Sequence, residues 1–246
     1  MRAEVEGRPV AADPVPDGAT GHFTAMQVRG RAVRGLELHL RRLRSANDEL
    51  FGVALDEDRV RALVRHALGD TGDASVRVYV RRLRGSTDPE TVVTVRPPGG
   101  IDSPQRLRAV DYVRPTAHLK HLTTEQGRYR EIARKAGFDD ALLTDGLDAI
   151  AEAAIANIGF LEGVAVVWPN APILRGITMQ LLETVLPHTT SGAVRLREIS
   201  SFDGAFVCNA RGIALVSAID TAPLPDPPVR IDEVRRAYAA IAWDPI

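Results

Sequence analysis

The chain has 246 residues, 45% of them hydrophobic and 26% charged, as in ordinary globular proteins, and this length allows one large or two small domains. Its net charge of −1 leaves no unbalanced basic field for a phosphate backbone, which argues against a nucleic-acid partner. The single cysteine excludes an intrachain disulfide, and no apolar run approaches the roughly 18–20 residues of a membrane span. We therefore expect a cytoplasmic protein without a signal peptide or a membrane partner.

The first part of the chain predicts a small α/β domain. A short strand is expected over Ala3–Val10 and a longer one over Gly21–Gly30, where side chains alternate between two faces. An amphipathic helix follows over Leu36–Phe51, and a second runs from Asp56 to about Leu68. Three further strands are then expected, over Val76–Arg81, Thr91–Val95 and Leu107–Tyr112.

The second part predicts a larger domain rich in strands. We place the boundary near residue 115, giving domains 1–115 and 116–246, with the Pro-Pro-Gly-Gly turn at 97–100 as an alternative linker. Helices are expected before Gly137, after Gly176 and over residues 230–241. Strands are expected over Asp140–Asp145, Ala151–Ile158, Val164–Trp168, Val194–Ile199, from Phe206 and over Ala214–Ile219.

Lysine is scarce, since Lys120 and Lys135 are the two in the chain and arginine supplies almost every other positive charge. A guanidinium can neither lose its proton under ordinary conditions nor form a Schiff base, whereas an amine can do both. Lys135 precedes Gly137 at a helix end, where the dipole favours a cation. Lys120 has no such structural explanation and is a candidate catalytic lysine.

Several separated blocks resemble a known family. Lys120 is followed by Asp139–Asp145, which reads DDALLTD, and then by Glu152 and Asn157. This order resembles the class IV pyridoxal-phosphate enzymes, which comprise branched-chain aminotransferases, D-amino-acid aminotransferases and 4-amino-4-deoxychorismate lyases. Phe23-Thr24 ahead of a glycine turn and His39-Leu40-x-Arg42-Leu43 are also similar to blocks of this family.

The resemblance implies fold type IV, an α/β (α+β) fold with two domains. The small N-terminal domain is α/β, the larger C-terminal domain is barrel-like with helices, and the cofactor, pyridoxal 5′-phosphate, binds in the cleft between them. The resemblance also implies a homodimer that acts on a small-molecule amino donor and a 2-oxo acid acceptor.

Roles follow residue by residue from the same resemblance. Lys120 would hold the cofactor as an imine and then move a proton between Cα and C4′. Arg42 would hold the phosphate, because a guanidinium fork matches phosphate oxygens. The backbone amides of Ile177 and Thr178, at a helix N-terminus after Gly176, would hold the same phosphate.

The remaining predicted site residues surround the ring and the substrate. Glu152 would face the pyridine nitrogen and favour the protonated ring, with Asn157 bracing the loop around it. Asn209 and Ala210 belong to a segment that resembles the family's loop beside the cofactor. Thr24 and Arg211 are weaker candidates for the substrate pocket. The predicted list is therefore Lys120, Arg42, Glu152, Asn157, Ile177, Thr178, Asn209, Ala210, Thr24 and Arg211.

Each of these residues also has an ordinary structural interpretation. Arg42 lies in an arginine run that could be a solvated helix face, and a lone Gly-Ile-Thr after Gly176 could be a simple capped helix. Glu152 could be a solvated loop carboxylate, although its apolar surroundings make burial of an unpaired charge costly. Thr24 and Arg211 could equally be structural.

The residues after Lys120 point to more than one subgroup of this family. Glu125 stands where branched-chain aminotransferases carry tyrosine, which disfavours that subgroup. The segment Leu119–Leu122 resembles the lyases, yet Thr123-Thr124 replace the Asn-Arg pair expected after it. We expect an aminotransferase, with a 4-amino-4-deoxychorismate lyase-type enzyme as the alternative. A nucleotide-binding module, which lacks its glycine-rich fingerprint here, and an inactive homologue are the alternatives from other classes.

Overall fold

The structure, a computed structural model, describes residues 1–11, 15–101, 103–122 and 125–246. Two units can be distinguished by their internal contacts. The first comprises Met1–Gly99, Leu119–Thr123 and Ala242–Ile246, and the second comprises Gly100–His118 and Thr124–Ile241. The domain boundary near residue 115 stays a prediction.

A five-stranded antiparallel sheet forms the frame of the first unit. Its strands lie in the order β2-β1-β6-β5-β3. Their bounds are β1 Arg2–Val5, β2 Arg8–Pro9, β3 Thr20–Val28, β5 Ala74–Arg82 and β6 Glu90–Arg96, while the short β4, Ala32–Val33, pairs with Asp244–Pro245 outside this sheet.

The N-terminal strand differs from its prediction. A single strand over Ala3–Val10 is wrong, because the chain turns at Glu6 and Gly7, both with positive φ, and returns as β2. The glycine makes this reversal possible, since it occupies left-handed backbone conformations without steric cost.

Two helices cover one face of this sheet. Helix α1, Leu36–Phe51, has the predicted bounds, and α2, Glu57–Leu68, begins after Asp56, whose carboxylate accepts the N–H of Arg59 at 2.9 Å. The core between the helices and the sheet includes Leu36, Leu40, Leu43, Val60, Val64, Leu68, Met26, Val28, Val76, Val78, Val80 and Val93.

Helix α1 receives its N-terminal cap from a distant part of the chain. Gly35 precedes the helix and offers no side-chain cap, and the carboxylate of Asp244 accepts the N–H of Leu36 at 2.9 Å. This contact and the pairing of Asp244 with Val33 attach the segment 242–246 to the start of α1.

A nine-stranded mixed sheet forms the second unit. The order is β12-β11-β10-β13-β14-β7-β8-β9, with β15 paired to β14, and the β7–β8, β7–β14 and β11–β12 pairs are parallel. The bounds are β7 Gln105–Asp111, β8 Asp140–Thr144, β9 Ile150–Ala153, β10 Asn157–Glu162, β11 Ala165–Pro169, β12 Thr189–Gly192, β13 Gly204–Asn209, β14 Gly212–Ile219 and β15 Ala222–Pro223.

Strand β7 lies in a different sheet from the one predicted. It was expected to complete the first domain after the turn at 97–100, but it pairs with β8 and β14 of the second unit. The sequence could not show this, because an apolar strand is compatible with either sheet and its partners lie far along the chain.

The α-helices described in this unit are α3 Glu125–Lys135, α4 Ile177–Val185 and α5 Pro228–Ala239. The strand predicted over Val194–Ile199 is wrong, because Leu196–Ser201 is a 3₁₀ helix. Val194 makes a strand-like bond, accepting the N–H of Ile150 at 2.8 Å, but no ladder continues from it. In the part of the chain that the structure describes, no helix is long and apolar enough to cross a membrane.

Candidate active site

The backbone places Lys120 beside β3. The carbonyl of Lys120 accepts the N–H of Phe23 at 2.9 Å, and the N–H of Leu122 donates to the carbonyl of Gly21 at 3.1 Å. The Nζ of Lys120 lies 4.8 Å from the centroid of the Phe23 ring, which stacks on Tyr79 with centroids 5.4 Å apart. The amine is therefore held against the electron-rich face of an aromatic ring.

Alternation along β3 turns Thr24 to the face opposite Phe23, towards α1. Thr24 and His39 are both buried, and the Oγ1 of Thr24 lies 2.6 Å from the Nδ1 of His39. Burial, together with the positive charges of Arg42 and Lys120, lowers the pKa of His39 to about 3. The imidazole is therefore neutral at pH 7. The hydroxyl of Thr24, predicted for the substrate pocket, lies in this internal pair.

Arg42 follows His39 by three residues on α1. Its neighbours Arg41 and Arg44 are exposed, and Arg44 pairs with Glu57, but Arg42 is half-buried. Solvent exposure therefore differs among the arginines of this run. Its influence on the pKa of His39 places Arg42 in the same electrostatic surroundings as Lys120.

Arg77 is a further cation that the sequence reasoning did not select. Its Cζ lies 5.8 Å from the Phe23 centroid, and its Nη1 lies 3.4 Å from the Tyr79 hydroxyl. The side chain is exposed, and among the described residues no carboxylate forms an ion pair with it. Side chains alternate along β5, so Arg77 and Tyr79 lie on the same face of the sheet. This alternation is the sequence feature that could have indicated Arg77 as a site residue. We call Lys120, Phe23, Thr24, His39, Arg42 and Arg77 the Lys120 cluster.

Glu152, in β9, is buried in the second unit. Its carboxylate pairs with the buried guanidinium of Arg114 and accepts the N–H of Leu174 at 3.1 Å. The solvated-loop interpretation of Glu152 is therefore wrong. Arg114 was not predicted, because 38 residues separate it from Glu152 and no local pattern connects them.

The amide of Asn157 connects Glu152 to the turn before α4. Its Nδ2 donates to the carbonyl of Leu174 at 2.8 Å and, over 3.4 Å, to Glu152, while its Oδ1 accepts the N–H of Gly176 at 3.1 Å. We call Glu152, Arg114, Asn157 and the turn Leu174–Gly176 the Glu152 cluster.

Gly176 leaves the N-terminus of α4 open. It has an extended conformation, makes no side-chain cap, and precedes a first turn without acidic residues. A Cβ at this position would lie 2.0 Å from the Oδ1 of Asn157, so that a larger residue would displace the amide. The N–H groups of Ile177 and Thr178 lie at the positive end of the helix dipole, although both side chains are buried.

The loop between β13 and β14 contacts the turn between β9 and β10. The Nδ2 of Asn209 donates to the carbonyl of Ile155 at 3.2 Å, and its Oδ1 accepts the N–H of Arg211 at 2.8 Å. The Nη2 of Arg211 donates to the carbonyl of Gly100 at 2.7 Å, which is a structural contact. Ala210 is half-buried between these two residues.

Comparison with known proteins identifies the family. Residues 21–219 match the model of the family described as amino-transferase class IV, and the chain belongs to that family. Since the members of this family use pyridoxal 5′-phosphate, the chain is a pyridoxal-phosphate-dependent enzyme. A search of curated protein sequences finds no significant match.

Solved structures with the same fold include a hypothetical aminotransferase from Mycobacterium tuberculosis in its PLP-bound form, with 18% identity, a TM-score of 0.83 and 98% of each chain covered. Its α-ketoglutarate- and PMP-bound form has 19% identity, a TM-score of 0.81 and the same coverage. A branched-chain aminotransferase from Thermoproteus uzoniensis with norvaline has 18% identity and a TM-score of 0.83, over 97% of this chain and 93% of that one. A proposed 4-amino-4-deoxychorismate lyase from Legionella pneumophila has 20% identity and a TM-score of 0.77, over 87% and 88%. The predicted fold class is confirmed.

Taken separately, each cluster offers donor groups whose chemistry suits a part of pyridoxal phosphate. The Lys120 cluster offers a primary amine and the half-buried guanidinium of Arg42, which suit an aldehyde and a phosphate. The Glu152 cluster offers a buried carboxylate, and the turn at Gly176 an open helix N-terminus. Among the described residues no cluster of side chains suits a metal ion.

Proposed function

We propose that the protein is an aminotransferase that moves an amino group between an amino acid or amine and a 2-oxo acid. The observation that carries the proposal is the setting of Lys120, one of two lysines in the chain, with its amine against Phe23 and within the electrostatic reach of neutral His39. Family membership makes this amine the candidate for covalent attachment of the cofactor.

Bound pyridoxal phosphate supplies an electron sink for negative charge that develops on the substrate carbon. Lys120 first holds the cofactor through its Nζ. Once displaced by the substrate amine, its free Nζ would take the proton from the substrate Cα and deliver it to the cofactor carbon C4′, which lies on the other side of the amino nitrogen. His39 stays uncharged and, through Thr24, fixes the contact between α1 and β3 beside this amine.

Glu152 holds a proton at the pyridine nitrogen in this proposal. Arg114 offsets the cost of burying the carboxylate, and the Leu174 N–H and Asn157 amide fix its orientation. Because those partners are rigid backbone or buried side chains, the carboxylate is positioned before the substrate arrives.

Arg42 and the backbone N–H groups of Ile177 and Thr178 bind the phosphate in this proposal. Replacing Arg42 with Ala removes a charge-assisted bond of roughly 1.5–3 kcal/mol, so the Kd for the cofactor should rise about 10- to 150-fold. Fluorescence titration of the apoprotein measures it. Arg41→Ala, on the exposed side of α1, is the matched control and should bind like the parent. If Arg42→Ala and Arg41→Ala bound the cofactor with equal affinity, Arg42 would have only a structural role.

The substrate contacts are proposed from charge. Arg77 shares the Phe23 ring with Lys120 and is suited to a substrate carboxylate, since no carboxylate of the described chain pairs with it. Asn209 and Ala210 are further candidates that offer backbone and side-chain donors, and Thr24 and Arg211 remain weaker candidates. The Mycobacterium tuberculosis structure contains α-ketoglutarate, which makes 2-oxoglutarate the first acceptor to test.

The function is tested on purified protein supplied with cofactor. Borohydride reduction followed by peptide mass spectrometry should place the cofactor on Lys120. A panel of amino donors with 2-oxoglutarate should yield glutamate, and donor alone should convert the cofactor to its pyridoxamine form. Absence of covalent attachment would indicate an inactive homologue.

The lyase is retained as a second function because Leu119–Leu122 resembles the lyases and the Legionella pneumophila structure shares the fold. The departure at Thr123-Thr124 lies outside the described residues. Pyruvate released from aminodeoxychorismate, without pyridoxamine formation from any donor, would favour the lyase over the aminotransferase.

We further propose that the protein is a cytoplasmic homodimer. Family resemblance supports the dimer, and the lone buried Cys208 suits a reducing compartment. A light-scattering mass of one chain at micromolar concentration would contradict the dimer.

A further inference from the structure

Asp140 is a buried acid that the proposed chemistry of Lys120 and Glu152 does not use. It begins β8, and its carboxylate accepts the N–H of Ala141 at 2.9 Å and of Ile155 at 3.4 Å. Burial raises the pKa of Asp140 to about 6, against the opposing effect of Arg130 and of both N–H groups. Burial therefore disfavours the charged form of the Asp140 carboxylate, which indicates that this residue has a role other than stabilising the fold.

The two hydrogen bonds of the Ile155 backbone connect Asp140 to the predicted cofactor loop. The turn 154–156 joins β9, which contains Glu152, to β10. The N–H of Ile155 in this turn donates to the carboxylate of Asp140. The carbonyl of Ile155 accepts a hydrogen bond from the Nδ2 of Asn209 at 3.2 Å. The Oδ1 of Asn209 then accepts the N–H of Arg211 at 2.8 Å. A continuous series of contacts therefore runs from Asp140 to the loop 209–211.

A cavity of about 440 Å³ borders the same groups. Asp140, Arg130, Ile155, Asn209 and Arg211 all line it. Its volume falls within the range of about 300–1,000 Å³ that is usual for small-molecule sites. The contacts of Asp140 are thus part of the wall of a cavity and not of a sealed core.

We propose that Asp140 is a positioning residue, which fixes the turn 154–156 through the Ile155 N–H and thereby holds the loop 209–211 in place for the substrate. This inference rests on the proposed function, because that function assigns Asn209 and Ala210 to cofactor and substrate. Asp140 itself touches neither.

The positioning depends on the charge of Asp140. Arg130 faces it from α3, with Nε 3.5 Å from the carboxylate, and Asp139 adjoins it in the chain. Arg211 is the remaining charged group among the described residues that line the cavity. Protonation below about pH 6 removes the attraction to Arg130 and weakens the bond from Ile155, so the turn and the loop loosen as the pH falls.

Hydrogen exchange of the holoenzyme tests the contact directly. In Asp140→Asn, peptides that cover 153–157 and 207–213 should exchange about tenfold faster than in the parent at pH 8, which corresponds to the loss of one hydrogen bond. Asp139→Asn is the matched control, because Asp139 also lines the cavity but accepts the N–H of Arg106 instead. Parental exchange at 207–213 in Asp140→Asn would overturn the proposal.

Kinetics and stability separate positioning from a merely structural role. Asp140→Asn should raise KM about tenfold with kcat little changed. The parent's kcat/KM should decline below about pH 6, and this decline should be absent in the variant. The variant should keep the parental melting temperature at pH 8. A lower melting temperature with parental KM would overturn the proposal. Should Asp140→Asn not fold, Arg130→Gln should shift the decline of kcat/KM to higher pH, and an unshifted decline would overturn it. Since exchange is independent of turnover, a parent without transaminase activity would reject the proposed function and leave the positioning result standing.

Discussion

The Lys120 cluster and the Glu152 cluster differ in how their polar groups are held. Glu152 and Arg114 are both buried, and the Glu152 carboxylate also contacts a backbone N–H and the Asn157 amide. Lys120 is half-buried, its backbone carbonyl accepts an N–H of β3, and its amine lies on an aromatic ring. The comparison indicates that one cluster is preorganised and the other keeps a side chain available to move between two positions.

The difference predicts that substitutions in the Lys120 cluster reduce activity with little effect on stability. Lys120→Ala should abolish turnover, with a loss of at least about 10³-fold from the missing base and covalent anchor, while the melting temperature changes by no more than a few degrees. Steady-state assays and thermal unfolding measure both. Lys135→Ala, in the last turn of α3, should keep full activity. A large fall in the melting temperature of Lys120→Ala would remove the contrast between the clusters.

Substitutions in the Glu152 cluster should reduce stability and activity together. Arg114→Met leaves a buried carboxylate without its cation and should lower the free energy of unfolding by about 3–5 kcal/mol in urea titrations. Glu152→Gln alone should also destabilise the protein, because it leaves the Arg114 guanidinium buried without its carboxylate, and should slow proton transfer. The double variant Arg114→Met with Glu152→Gln should recover part of the stability but not the activity. Additive losses in the double variant would show that the pair is not coupled.

A smaller effect is expected at the turn before α4. Gly176→Ala places a Cβ 2.0 Å from the Oδ1 of Asn157, so it should cost roughly 1–3 kcal/mol in the free energy of unfolding and weaken cofactor binding. Gly72→Ala is the control, because a Cβ there would contact nothing within 4 Å. Similar costs for the two variants would mean that the Asn157 contact does not limit the turn.

At neutral pH the last effect disappears, since it concerns the buried histidines and develops only as the pH falls. Burial lowers the pKa of His39 to about 3 and of His22 to about 4, so neither accepts a proton in the folded state until the pH is well below the ordinary value of 6.5. The unfolded chain does accept protons below pH 6.5, so stability falls as the pH drops, by up to about 1.4 kcal/mol per pH unit for each histidine. Urea unfolding of His39→Gln between pH 7 and pH 4 should show a shallower slope than the parent. An identical slope would contradict the neutral state of His39.

Local patterns predicted most of the elements and the separate site segments. The apolar run around Glu152 indicated that this carboxylate is not solvated, and the scarcity of lysine selected Lys120. Arg114 was missed because its contact with Glu152 spans 38 residues, and β7 was assigned to the wrong sheet because strand partners depend on the tertiary fold. The 3₁₀ helix at Leu196–Ser201 was missed because a short apolar segment is compatible with strand or helix.

The cap that Asp244 provides to α1 has a consequence for biosynthesis. Helix α1 carries His39 and Arg42, yet the N–H of Leu36 at its start donates to the carboxylate of Asp244, more than 200 residues later in the chain. During translation the helix therefore remains without this cap until residues 242–246 have left the ribosome, and the first unit reaches its final form only afterwards. For the same reason a purification tag is better attached at the N-terminus, since residues fused directly after Ile246 would adjoin the strand that holds this end of the helix.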